Sequence, residues 1–363
     1  MADKQEKAKG ELQALLDKAR EAYHALRLDE ALDLYQQAAR VDPESFAAHV
    51  GLAKTLTRMR RQKQALDAAQ QALELAPQQP DGHTALGTLF FLADQNEKAR
   101  EALERAIELD AQQPESHLTL AQVYADLGRL EDAESQLERA QELIEGIPEQ
   151  ERRRSLQAIA LHARAYKNLA EGNDKEAMER AEEIVAFKDA NPHAACLAYA
   201  NLGILEARKR RYAQAVEHLE KAFRLNPYFY RAGGALGRLL LVQKQHERAA
   251  EVLETVLDLT PDAGGGIHYA YGMALAKLGQ REKAIAQYRE ALDKKGLRPL
   301  DSVAARWKMI WLSKTGRYLI IGLLLAAVLA WLVLARPSPQ AITLVAIVAV
   351  IVILQRIMRR QRG

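Results

Sequence analysis

The chain has 363 residues, 48% of them hydrophobic, with a net charge of only +3 and a single cysteine, Cys196; this excludes both a disordered chain and a disulfide-stapled scaffold. The charge is unevenly placed: residues 297–363 carry ten Lys/Arg against one acid, Asp301, which leaves a net of −6 on 1–296. An acidic body excludes a nucleic-acid binder, whose surface must be cationic to displace counterions from phosphates.

Residues 1–10 form a charged tail without the apolar stretch of a secretion signal, which together with the lone thiol places the body in the cytosol. From residue 11 a ladder begins. Ala31, Ala65, Ala99 and Ala133 recur at 34 residues, and Ala177, Ala215, Ala249 and Ala284 continue at 44, 38, 34 and 35. Four residues after each stand Tyr35, Ala69, Leu103, Leu137, Ala181, Leu219, Leu253 and Tyr288, and three further on comes another small or β-branched residue. Spacings of four and seven predict one face of a helix. Twelve or thirteen residues upstream, Leu52-Ala53, Leu86-Gly87, Leu120-Ala121, Leu202-Gly203, Leu236-Gly237 and Tyr271-Gly272 predict a partner helix with a small residue at its closest approach. Pro43, Pro77, Pro227 and Pro261 fall just past helical patterns, where proline cannot continue the helix. No such pair can bury its apolar stripe alone, so neighbours must stack.

This pattern over 11–296 resembles the tetratricopeptide repeat. The resemblance implies an all-α, right-handed superhelix of about eight helix-turn-helix repeats with a concave groove. The first repeat departs from the pattern at Lys18-Ala19 and the fifth at Arg164-Ala165, where a lengthened helix or a bend is expected across 145–190. In relatives the first helices line the groove. Mapped here, that wall includes Arg20, Tyr23, His24, Lys54, Arg58, Thr84, Thr88, Phe91, Leu118 and Gln122, and later Ile204, Tyr269 and Met273. Relatives that grip a C-terminal carboxylate use a Lys/Asn/Asn/Lys/Arg set; Leu16, Arg20, Gly51, Asp81 and Ala85 stand at those places, so that clamp is absent. The candidate groove site is instead His162, Tyr166, Asn201, Arg208, Arg231 and Arg238, a basic pocket for a protein or peptide of acidic character. These arginines are equally explained as solvated or paired with neighbouring acids.

Residues 297–317 form an amphipathic, basic connector, read either as docked on the last repeat or as an interfacial helix on membrane lipids, with Trp307, Trp311 and Tyr318 as interfacial anchors. The uncharged runs 319–335 and 341–354, separated by Arg336-Pro337-Ser338-Pro339-Gln340, read as a two-helix membrane anchor over 318–357, ahead of a basic tail at 358–363. Gly322, Ala326 and Ala330 form a small-residue stripe for helix packing, against the hairpin's own second run or an integral membrane protein. Basic flanks place the repeats and both termini on the cytoplasmic side of a multi-pass protein, with a bacterial inner membrane as the simplest setting.

His49, His83 and His117 recur at 34 residues and His268 matches them in the last repeat, which is repeat position rather than metal ligation. Gly233, Gly234 and Gly237 lack the strand and the Lys-Ser/Thr of a phosphate loop. No nucleophile–base pattern is found, and no metal or cofactor is expected. The function expected is a membrane-anchored adaptor that binds a protein partner in its groove and aids assembly of a membrane complex. The alternative is a constitutive structural subunit of such a complex.

Overall fold

In the computed structural model the ladder is the core. All eight ladder alanines, and the residues four and seven positions after them, are buried. The structure describes residues 2–313, 315, 316, 318, 319, 322, 323, 326 and 327.

Among the described residues seventeen helices are found, sixteen of them in antiparallel pairs. These are α1 (Ala2–His24) with α2 (Leu28–Val41), α3 (Phe46–Arg58) with α4 (Gln62–Leu75), and α5 (Pro80–Leu92) with α6 (Asn96–Leu109). Then come α7 (Pro114–Asp126) with α8 (Leu130–Glu145), α9 (Gln150–Ala170) with α10 (Asp174–Val185), and α11 (Pro192–Arg208) with α12 (Tyr212–Leu225). The last pairs are α13 (Tyr230–Val242) with α14 (His246–Leu259) and α15 (Gly265–Lys277) with α16 (Arg281–Asp293), followed by α17 (Pro299–Leu312). Each helix packs on its partner and on the next pair, giving an all-α repeat solenoid.

Within a pair, the small residue of the first helix receives the large ladder residue of the second. A Cβ added at Gly203 or Gly237 would lie 2.5 Å from the Leu219 or Leu253 side chain, and at Gly272 2.8 Å from Tyr288. The turn inside every repeat closes the same way: the second residue after the helix is left-handed, and the next amide donates to a carbonyl five residues back, as Arg27 does to Ala22 and Gln280 to Leu275. Pro80, Pro114 and Pro192 occupy the first turn of the following helix, where no amide hydrogen is needed.

The solenoid curls far enough for distant repeats to meet. Tyr228, between α12 and α13, is buried in the cluster of Leu28, Leu32 and Val50 from the first two repeats. At the other end, α17 docks on α15 and α16 through Ala305, Met309 and Leu312, and the Lys308 ammonium donates to the Tyr269 hydroxyl at 3.0 Å. Leu300, Val303, Trp307, Ile310 and Trp311 remain exposed on its outer face.

The expected multi-pass placement in a bacterial inner membrane is overturned: among the described residues no helix is long and apolar enough to cross a membrane. The last helix, α17, has 14 residues and carries Asp301, Arg306 and Lys308. It spans about 21 Å against a hydrocarbon core of roughly 30 Å. The expected hairpin falls almost wholly outside the described residues, as does Ala330. Of its stripe, Gly322 and Ala326 are described and exposed, and so is Tyr318.

Candidate interaction surface

The first helices of successive repeats stand side by side, and their outward positions divide into those that hold the stack together and those that remain reachable. Thr84 and Ser116 share a hydrogen bond of 2.8 Å between α5 and α7, and Phe91, Leu118 and Gln122 are buried. Phe91 meets the Tyr166 ring edge-on at 5.9 Å. These positions of the mapped wall serve packing among the first helices.

The histidines at repeat intervals close the joints between repeats. The rings of His49, His83 and His117 each place Nε2 at 2.9–3.1 Å from a carbonyl six residues earlier, Pro43, Pro77 and Ala111. A carbonyl only accepts, so Nε2 carries the proton. In the eighth repeat the joint is one residue longer. The Gln287 amide still lies 2.8 Å from His268 Nδ1, while Nε2 is buried without a partner. Among the described residues no group of three His, Cys, Asp or Glu could hold a metal ion. Cys196 donates to the Ala222 carbonyl, and burial pushes its thiol up to about 12, the opposite of what a nucleophile needs.

Of the six residues singled out in the sequence, His162, Tyr166 and Arg231 share one neighbourhood, while Arg208 and Arg238 stand by other partners. His162 is buried, 7% exposed, its Nδ1 without a partner, and burial holds the ring down at about 4, so it is neutral. Its ring stands 6.3 Å from that of Tyr166, whose hydroxyl donates to Asp126 at 2.7 Å. The amide nitrogen of Asn201 is buried and unpaired. Arg208 pairs with Asp174 at 2.9 Å and Arg231 with Asp94 at 3.3 Å. The charge neighbours of Arg238 are Arg298 and Asp301, with burial the larger influence on it. Three arginines thus have three separate neighbourhoods.

A different cation holds the interior. Arg58, on the last turn of α3, is half-buried, donates to the Tyr23 carbonyl at 3.1 Å and lies 3.8 Å over the Tyr23 ring. Among the described residues no carboxylate pairs with it. Burial therefore pulls its affinity for the proton down, offset only by the weak fields of Tyr23, Cys196 and Tyr35. Burial, then Arg58, Lys54 and Arg20, hold His24 below its ordinary range. Across the interior on α11, His193 is pushed well down by burial, by Arg58 and by His162, and its Nδ1 is unpaired. This part of the molecule thus holds a guanidinium without a carboxylate and two ring nitrogens without a partner. Sequence reasoning placed Arg58 on the wall but missed its isolation, and missed His193 altogether. The signals were the absence of an acid in the Lys54–Arg58 turn and a histidine directly after the helix-starting Pro192.

Comparison with known proteins agrees with the repeat geometry. Residues 27–89 and 207–265 match one tetratricopeptide repeat model, 88–128 match a TPR repeat model, and 114–146 and 266–293 match a further tetratricopeptide repeat model. No curated protein matches the chain. A chain of the APC/C hetero-tetramer Cut9-Hcn1 is similar in structure, with a TM-score of 0.58 at 17% identity over 81% of this chain. This chain spans 55% of that one. A tetratricopeptide repeat protein from Parabacteroides merdae is matched with a TM-score of 0.46 at 17% identity, over 73% of this chain and 99% of that one. PilF of Pseudomonas aeruginosa follows at 0.44 and 18%, over 58% of this chain and 89% of its own.

Proposed function

As the chain belongs to the tetratricopeptide repeat family, we propose that it is a protein-binding adaptor whose concave interior takes an acidic segment of a partner, with Arg58 as the principal contact. One observation carries this reading: Arg58 is a half-buried guanidinium without a carboxylate among the described residues, whereas Lys54 on the same helix, Arg208 and Arg231 are each paired with one. A cation taken partly out of water is most stable when an anion completes its shell, and a guanidinium suits a carboxylate's two oxygens. Lys54 and Arg20, which act with Arg58 on His24, are the next cations such a segment would reach. His162, neutral and buried, would offer a hydrogen bond rather than charge.

Selection of a random peptide library on the full chain tests the reading. Recovered peptides should be enriched in Asp and Glu and compete with one another. Arg58→Glu should weaken them by at least about tenfold, or 1.4 kcal/mol, with helicity unchanged. Peptides without acidic bias, or unaffected by Arg58→Glu, overturn it.

A second reading, a constitutive subunit of a larger assembly, is favoured by the outer face of α17, where Val303, Trp307 and Trp311 are exposed together. A subunit of this kind would co-purify stoichiometrically through α17, and Trp307→Glu with Trp311→Glu would release it.

A further inference from the structure

We infer that the segment 227–231 is an intramolecular latch, seated on the turns of the first three repeats, that holds the solenoid shut and whose release widens its concave interior.

The contacts come from three consecutive repeats and converge on that one segment. The Tyr228 hydroxyl donates to Asp29 at the start of α2 at 2.6 Å, and its ring is only 6% exposed. Arg60, in the turn of the second repeat, lies 4.9 Å over the Tyr230 ring. Arg231 pairs with Asp94, in the turn of the third. Leu26, in the turn of the first, packs against both the cluster that holds Tyr228 and the cluster of α11 to α15.

The backbone of those turns is a separate sign. The left-handed residue that closes each repeat is glycine at 128, 172 and 279, as the conformation favours, but Leu26, Arg60 and Asp94 in the first three. A side chain in that region is strained and persists where its surroundings demand it. All three of these side chains reach the latch side of the molecule. Arg210 and Lys244 are left-handed as well, so strain alone does not define the latch.

The seam is also thin. Helices of the first three repeats do not pack along α12, α13 or α14; side chains of the turns and of the first residues of α2 and α13 make the contact. A cleft of about 360 Å³ remains between Leu26–Glu30 and Pro227, Tyr228 and Leu259. Such a joint separates without unfolding either side. The field of Arg58 on His193 and Cys196 shows how near the second and sixth repeats stand while it is closed. That release admits a partner rests on the adaptor reading; the latch itself is tested with no partner present.

Spin labels on the full chain at Asp33→Cys and Arg224→Cys, both exposed and flanking the seam, report its width by electron–electron double resonance. Cys196 is buried and escapes the label. The unaltered latch should give one narrow distance. Tyr228→Ala with Arg231→Ala should lengthen and broaden it by roughly a helix diameter, about 10 Å, with helicity retained. Lys244→Ala should leave it unchanged. A narrow, unshifted distance in the double variant overturns the latch. Should that variant lose helicity, hydrogen exchange of the unaltered chain decides: amides at 228–231 should exchange well before the ladder helices, and exchange only with them overturns the proposal.

Discussion

His162 shows how much a single residue stakes on its surroundings. Its imidazole is neutral because burial removes the water a charge would need, and no partner on Nδ1 replaces it. The folded value near 4 lies below the 6.5 of an exposed ring, so protons bind the unfolded chain more readily. The stability this residue contributes is complete above about pH 6.5 and is lost as pH falls toward 4, about 3 kcal/mol over the full range. Urea midpoints at pH 7 and pH 5 should therefore differ, and His162→Phe should flatten the difference. His193 acts in the same direction. At Gly203 the constraint is steric: a β-carbon would meet Leu219 at 2.5 Å and the Ala215 carbonyl at 3.0 Å. Gly203→Val should cost about 2–3 kcal/mol in thermal or urea unfolding, and pairing it with Leu219→Ala should recover part of the loss.

At the scale of the element, the turn inside each repeat makes the sharpest comparison. Lys244 is left-handed and exposed, so Lys244→Gly should stabilise the chain by roughly 0.5–1 kcal/mol. Leu26 has the same backbone but packs on two clusters. Leu26→Gly should instead destabilise by about 1–2 kcal/mol, since lost burial outweighs relieved strain. Opposite signs at equivalent turns are the expected outcome of denaturation on both variants. Same-sign effects would mean that the early turns serve no purpose beyond their own repeats. Helix α17 follows another logic. Ala305 lets it approach the last pair closely, and its tryptophans face outward.

For the whole molecule, the solenoid was legible because its determinants are local and repeated. Ala31, Tyr35 and Ala38 mark a buried face by spacing alone, and seven more copies of that spacing leave little alternative to stacked pairs. The curl of the stack was not legible, because it sums small rotations that no single repeat encodes. Hence Tyr228 against Asp29, nearly 200 positions apart in the chain, had no sequence signal beyond the missing glycines at 26, 60 and 94. The candidate site suffered from the same gap. Arg208, Arg231 and Arg238 look alike along the chain, yet each is met by different neighbours, while the isolation of Arg58 depends on acids that fail to arrive. Hydropathy of 319–335 and 341–354 prompted a membrane placement that the described helices do not support. The most direct test of the adaptor reading is hydrogen exchange on the full chain with and without a selected acidic peptide. Protection should appear on the first helices that face the interior, at the end of α3 around Arg58 and the start of α11 around His193. Protection confined to the second helices of the repeats, or to α17, would contradict it.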